Sequence, residues 1–174
     1  MSSRFIFAAV AAFAMASAAV AQPAAKPTDP QIAHIAYTAG VLDIAAAKQA
    51  LAKSKNAQVR AFAQEMVRDH QAVNDKALAL VKKLHVTPQD NPTSQALTAA
   101  ANQKLHDYAA LSGHAFDVAY ADNEVAYHKT VNGALAGTLI PDAQNPELKS
   151  LLQTGLKLFQ MHEQHAEQVA AALK

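Results

Sequence analysis

Three observations predict an all-helical bundle. Apolar residues recur at three- and four-residue steps through five separate stretches, the spacing of one face of an α-helix. No window alternates with the period of two that a half-buried strand requires. Ala, Leu, Gln, Lys and Glu dominate, and these are strong helix formers. A chain of 174 residues, 51% of them hydrophobic, suits a single domain with a sizeable core.

The elements follow in order. Residues 1–21 hold one charge, Arg4, then an apolar run from Phe5 to Ala14, then Ala19-Val20-Ala21 before Gln22. That is the pattern of a signal peptide cleaved after Ala21, and it predicts a periplasmic or secreted protein. No cysteine follows to carry a lipid anchor, and no later stretch nears the ~20 apolar residues of a spanning helix, so no transmembrane segment is expected after signal cleavage. Residues 22–28 contain two prolines and read as a flexible leader; the domain occupies 29–174.

Asp29-Pro30 reads as a helix cap followed by proline at the first helical position. The first helix then runs to about Lys53 with Ile32, Ile35, Ala39, Leu42 and Ala46 in line. Asn56 caps a second helix, about Ala57 to Leu84, with Phe62, Met66, Val73, Ala77, Leu80 and Leu84 on one face. A loop from His85 to Asn91 precedes a shorter helix capped by Thr93 or Ser94, with Leu97, Ala101, Leu105 and Tyr108 aligned. Ser112-Gly113 breaks it. The next helix, about His114 to Gly137, aligns Phe116, Tyr120, Tyr127, Val131 and Leu135. Asn145-Pro146 opens the last, with Leu148, Leu152, Phe159, Ala166, Val169 and Leu173 inward.

The connection between the second and third long helices is itself long. Its inner helix of ~17 residues spans about 25 Å at 1.5 Å per residue, enough to travel back along the bundle. Such a crossover makes the second and third long helices parallel, which is the ferritin-like arrangement of a four-helix bundle. The competing arrangement is an up-and-down bundle with the shorter helix as a fifth member.

Composition excludes several functions. Without Arg4 the chain has fourteen basic and fourteen acidic residues, so it lacks the basic surplus expected of a nucleic-acid partner. Absence of cysteine excludes disulfides, thiolate zinc sites, iron–sulfur clusters and a Cys nucleophile. No G-x-S-x-G, P-loop or G-x-G-x-x-G motif is present.

Chemistry concentrates on the histidines. His34, His85, His106 and His114 lie off the apolar stripes or in loops and read as solvated. His70 falls between Met66 and Val73 on the stripe itself, and His162 falls between Phe159 and Ala166. His165 precedes Val169 by four, and His128 follows Glu124 by four. Counted along antiparallel helices from the hairpin at Lys55, Asp43, His70, Glu124, His128, His162 and His165 reach a common depth, with Asp69 and Glu65 close to it but off the His70 stripe. Buried imidazoles need partners. One reading is a site for Fe, Mn, Zn or Cu, built from His70, His128, His162, His165, Glu124, Asp43 and Asp69. The other is a metal-free layer of hydrogen-bonded polar residues.

Val59-Arg60-Ala61-Phe62-Ala63, Met66-Val67-Arg68-Asp69-His70, Leu111-Ser112-Gly113 with Phe116-Asp117 and Tyr120, then His128, His162 and His165-Ala166 carry a further signal. In these residues the chain resembles the exported bacterial family called domain of unknown function four-one-four-two, from about Asp29 to the C-terminus. The resemblance implies a ferritin-like bundle and export, and it implies no activity. The chain departs from ferroxidase ferritins, which carry Glu-x-x-His: here Arg68 follows Glu65, Tyr127 follows Glu124, Ala166 follows Glu163 and Ala170 follows Glu167. A mononuclear or His-rich site is the metal version that remains. Three functions stay open: a metal-binding periplasmic protein, a metal-free structural or interaction module of the cell envelope with a role in stress, and a metal-dependent enzyme acting on peroxide or another oxidant. The protein partner and the oligomeric state are not written in the sequence.

Overall fold

The computed structural model describes residues 26–174, so the expected signal peptide and most of the leader lie outside the described residues. These residues form α1 (Asp29–Lys53), α2 (Ala57–Lys83), α3 (Pro92–Ala110), α4 (Gly113–Ala134), α5 (Ile140–Asp142) and α6 (Pro146–Ala172), with a π-helical turn, Leu135–Leu139, joining α4 to α5. Among the described residues there is no strand, and no helix is long and apolar enough to cross a membrane.

Local chemistry sets the boundaries. Asn56 and Asn145 each accept two backbone N–H groups, opening α2 and α6 as the sequence predicts. Two caps differ from expectation. Thr28 rather than Asp29 occupies the cap position of α1, because the Gln31 side chain reaches back to the Thr28 N–H. Asp29 instead accepts the N–H groups of Gln144 and Asn145, tying the start of α1 to the start of α6. At α3 the cap is Asn91, two residues before Thr93 and three before Ser94; Ser94 closes the capping box. Gly113 takes φ +55° at the turn into α4, a conformation that favours glycine.

The fourth helical stretch also runs past the expected end at Gly137, through to Asp142. Pro141 lacks an N–H, and its ring crowds the carbonyl four residues back. The wider π-turn ahead of it opens the backbone there, and the Ile140 N–H reaches back to the Leu135 carbonyl.

Two apolar clusters give the helix directions. One joins Ala47 and Ala50 (late α1), Val59, Phe62 and Met66 (early α2), Tyr108 (late α3), Phe116 and Tyr120 (early α4), and Ala166 and Val169 (late α6). The other joins Ile32 and Ile35 (early α1), Val73 and Leu80 (late α2), Leu97 (early α3), Leu135 and Leu139 (after α4), and Leu148 and Leu152 (early α6). Helices α2 and α4 therefore run in one direction and α1, α3 and α6 in the other. The long helices pack as a closed ring in the order α1, α2, α6, α4, and α3 lies against α1 and α4. That position corrects the α1 stripe. Leu42 and Ala46 are half-buried on the flank under α3, while Asp43, Ala47 and Ala50 point to the centre. Ala77, Leu80 and Leu84 of α2 are likewise only half-buried.

Candidate metal centre

Between the two apolar clusters lies a layer of buried polar side chains. Asp43 comes from α1, His70 from α2, Glu124 and His128 from α4, and His162 from α6; all are at most 3% exposed. Each sits on the inward stripe of its helix, so the helical repeat that buries the leucines also buries these residues. Gly40 brings α1 and α2 close one turn before Asp43: a Cβ there would collide with the Asn74 side chain.

The three imidazoles form a near-equilateral triangle, with ring centroids 5.8 Å apart for His70–His128, 5.4 Å for His70–His162 and 5.6 Å for His128–His162. One nitrogen from each lies within 4.8 Å of the other two. Phe159 stacks on His70 at 4.6 Å and fixes its plane. Two rings are oriented by hydrogen bonds from their other nitrogen. His128 Nδ1–H donates to the Glu124 carbonyl at 2.9 Å, and His162 Nε2–H donates to Asp69 Oδ2 at 3.0 Å. These bonds leave His128 Nε2 and His162 Nδ1 without hydrogen and without partner in the interior.

Asp43 faces the same space. Its Oδ2 lies 2.7 Å from His70 Nε2 and 3.5 Å from His128 Nε2. The 2.7 Å approach is not in line for a hydrogen bond, and both Asp43 oxygens and both His70 nitrogens remain unpartnered. Among the described residues only these two histidines come within ion-pair reach of Asp43. Glu124 Oε2 is also buried without a hydrogen bond, 3.6 Å from His128 Nδ1.

Electrostatics follow from burial. Desolvation would raise the Asp43 carboxyl, but His70 and His128 beside it hold it below its ordinary range. For Glu124 burial, reinforced by the Asp43 charge, pushes the carboxyl well above its ordinary value and favours its protonated form. Burial lowers both His128 and His162, against the opposing pull of Asp43 and Asp69, so both are neutral at neutral pH. A neutral His128 and His162 beside the ionised Asp43 are in the protonation state that a metal requires.

The remaining candidates form an outer group on α2 and α6. Asp69 pairs with Arg68 at 2.7 Å as well as with His162, and His165 Nδ1–H donates to Glu65 Oε2 at 2.6 Å. His165 is half-buried against the Phe62 ring edge and is absent from the inner triangle. Glu65, Asp69 and His162 do offer three ligand atoms within 4.8 Å of one another. His85, His106 and His114 are exposed as the sequence predicts, whereas His34 is half-buried with Nδ1 3.9 Å from Asp90.

Two cavities flank the layer. A space of ≈ 270 Å³ under α3 is lined by Asp43 and Glu124, with Lys104 and Asn123 toward the surface. A second chamber of ≈ 180 Å³, which shares Leu97, Tyr127 and Thr130 with the first, ends on His70 and His128. Pattern reading missed Asn74, which is buried one turn after His70 and lines this chamber; its i,i+4 spacing from His70 was the available signal.

Neither a curated protein nor a solved structure matches the chain. A family model does, over residues 14–169, which takes in α1 to α5, all but the last turn of α6 and every residue of the layer: the chain belongs to the family described as Domain of unknown function (DUF4142).

Proposed function

We propose that the chain is an exported, ferritin-like helical protein that holds one divalent transition-metal ion (Fe, Mn, Zn or Cu) in its buried layer. His70, His128 through Nε2, His162 through Nδ1 and Asp43 are the ligands. Asp69 and the Glu124 carbonyl orient the rings, and the protonated Glu124 carboxyl holds a proton beside the site. When bound, the ion supplies the positive charge that Asp43 lacks.

One observation carries this reading. Five buried donor groups converge with unpartnered atoms, and no lysine or arginine among the described residues neutralises Asp43. An unpaired buried carboxylate costs several kcal/mol, and an unpaired buried imidazole costs about 1–3 kcal/mol. A cation removes both costs at once. Three imidazoles and a carboxylate suit a borderline or transition metal rather than Ca or Mg. The ferritin-like label is supported by the parallel course of α2 and α4 with α3 crossing back between them, and export by residues 1–21.

Elemental analysis of protein purified from its native compartment tests the reading. The expected result is about one transition metal per chain, lost in His70→Ala and Asp43→Asn. Metal-free protein whose melting is unmoved by Zn, Mn, Fe and Cu would overturn it and leave the metal-free interaction module. Intact mass should begin at Gln22; a chain retaining residues 1–21 would defeat the export reading.

A further inference from the structure

We propose that the ≈ 180 Å³ chamber on the imidazole side of the layer is a binding site for a small neutral molecule, with an apolar body of about one ring and one polar group. This goes beyond metal binding and does not depend on it.

The walls come from α1, α2, α3, α4, the π-turn and α6 and are mostly apolar, including Ile35, Val73, Leu80, Val131, Leu135 and Leu152. No Lys, Arg, Asp or Glu lines the chamber, so a charged ligand would leave its charge unpaired inside it. The size fits. An engineered apolar cavity of about 150 Å³ binds benzene and stays dry when empty. A dry apolar void gains both hydrophobic transfer and dispersion contacts when filled.

Polarity within the chamber is localised. Its deeply buried polar side chains are His70, Asn74 and His128. The Tyr127 hydroxyl is already committed to the Ala39 carbonyl at 2.8 Å. Exposed residues on the wall, Thr93, Thr130 and Ala134, mark where the chamber meets solvent, and none is charged. A ligand entering there meets aliphatic walls first and hydrogen-bonding groups at the layer. Its polar group thereby arrives beside the same imidazoles that face Asp43.

The test is an NMR titration of the metal-free folded chain with phenol, toluene and benzoate. Phenol and toluene should produce saturable shifts in the His70 and His128 ring signals and in the Val73 and Leu135 methyls. Phenol should bind about two- to tenfold more tightly than toluene, the net effect of one hydrogen bond. Benzoate should not saturate over the same range. Ala77→Phe, which fills the chamber, should weaken phenol binding at least tenfold, and Ala36→Leu serves if that variant fails to fold. Ala101→Phe, in the other cavity, should leave binding unchanged. No saturable shift, equal binding of benzoate, or loss of binding in Ala101→Phe alone would overturn the proposal. Metal is absent throughout, so failure of the metal reading leaves this result interpretable, and the reverse also holds.

Discussion

The inner and outer halves of the polar layer use the same residue types in opposite states. Outside, Glu65 is bonded to His165, and Asp69 is bonded to both Arg68 and His162. Inside, Asp43 and His70 crowd together with their side-chain polar atoms unbonded, and His128 Nε2 and a Glu124 oxygen are also left unpartnered. His162 joins the halves, with Nε2 on Asp69 and Nδ1 facing inward unpartnered. Satisfied pairs hold side chains in place; unsatisfied ones of matched chemistry are where a further partner would gain most. In the proposed metal reading the inner half is the site and the outer half its support.

The largest effect that would break this division is at Asp43. Asp43→Asn keeps the shape and removes the charge, so metal affinity measured by calorimetry should fall by more than about 100-fold, roughly 2.7 kcal/mol. Metal-free protein should melt no lower than the wild type, because an uncompensated buried charge has been removed. If Asp43 instead forms a structural ion pair with a protonated His70, the same change should destabilise the metal-free protein by about 3–5 kcal/mol. That outcome would make the inner half as self-sufficient as the outer one.

Asp69→Asn addresses the seam between the halves. Its carboxylate sets the tautomer and plane of His162 without touching the inner space. Losing such a partner typically costs 10–100-fold in metal affinity. The expected calorimetric loss is about 10–100-fold, with stoichiometry unchanged. A loss equal to that of His162→Ala would place Asp69 among the ligands and erase the division.

Much of this was legible in sequence and some was not, for identifiable reasons. The helices and the layer follow from the three- and four-residue repeat: His70 between Met66 and Val73, and His162 between Phe159 and Ala166, had to point inward if their neighbours did. The rotation of α1 did not follow. Leu42 and Ala46 continue the apolar series, but α3 covers that flank and turns Asp43 to the centre. Helix α3 is placed by long-range packing that no local pattern encodes. His165 shares the spacing of an inward residue yet sits half-buried, turned toward the half-buried Glu65 of α2 to which it is bonded. Continuation of the fourth helical stretch past Gly137 was masked by Pro141, whose conflict is absorbed by a π-turn that propensity alone does not predict.

Acidity should separate the halves further, in the metal-free protein. His128 and His162 have folded-state values below the ordinary 6.5. The unfolded chain therefore takes up their protons first. Stability is full above 6.5 and is lost as pH falls through it, by up to about 1.4 kcal/mol per unit for each imidazole. Glu124 has the opposite sign, since its folded-state value is raised. Its contribution is full below its ordinary 4.5 and is lost as pH rises above it. The two imidazoles and Glu124 therefore pull the profile in opposite directions. Urea denaturation from pH 8 to 5 should show the imidazole loss setting in as pH falls through 6.5, and a flat profile that stays flat in Glu124→Gln would mean that the inner imidazoles titrate as freely as surface ones.

The smallest expected effect is at the outer pair, and it sharpens the comparison by being small. Glu65→Gln removes the charge opposite His165 but keeps a hydrogen-bond acceptor. His165 and Glu65 are respectively 39% and 27% exposed at the side chain, so water screens the pair. Exposed pairs of this kind contribute about 0–1 kcal/mol. Chemical denaturation of Glu65→Gln should show a loss within that range, and metal stoichiometry and affinity should match the wild type. The same must hold for His165→Gln, whose ring contributes only its edge contact with Phe62 to the core. A tenfold loss of metal affinity in either variant would show that the ion reaches the α2–α6 surface. The inner triangle would then be one end of a longer site running through His162.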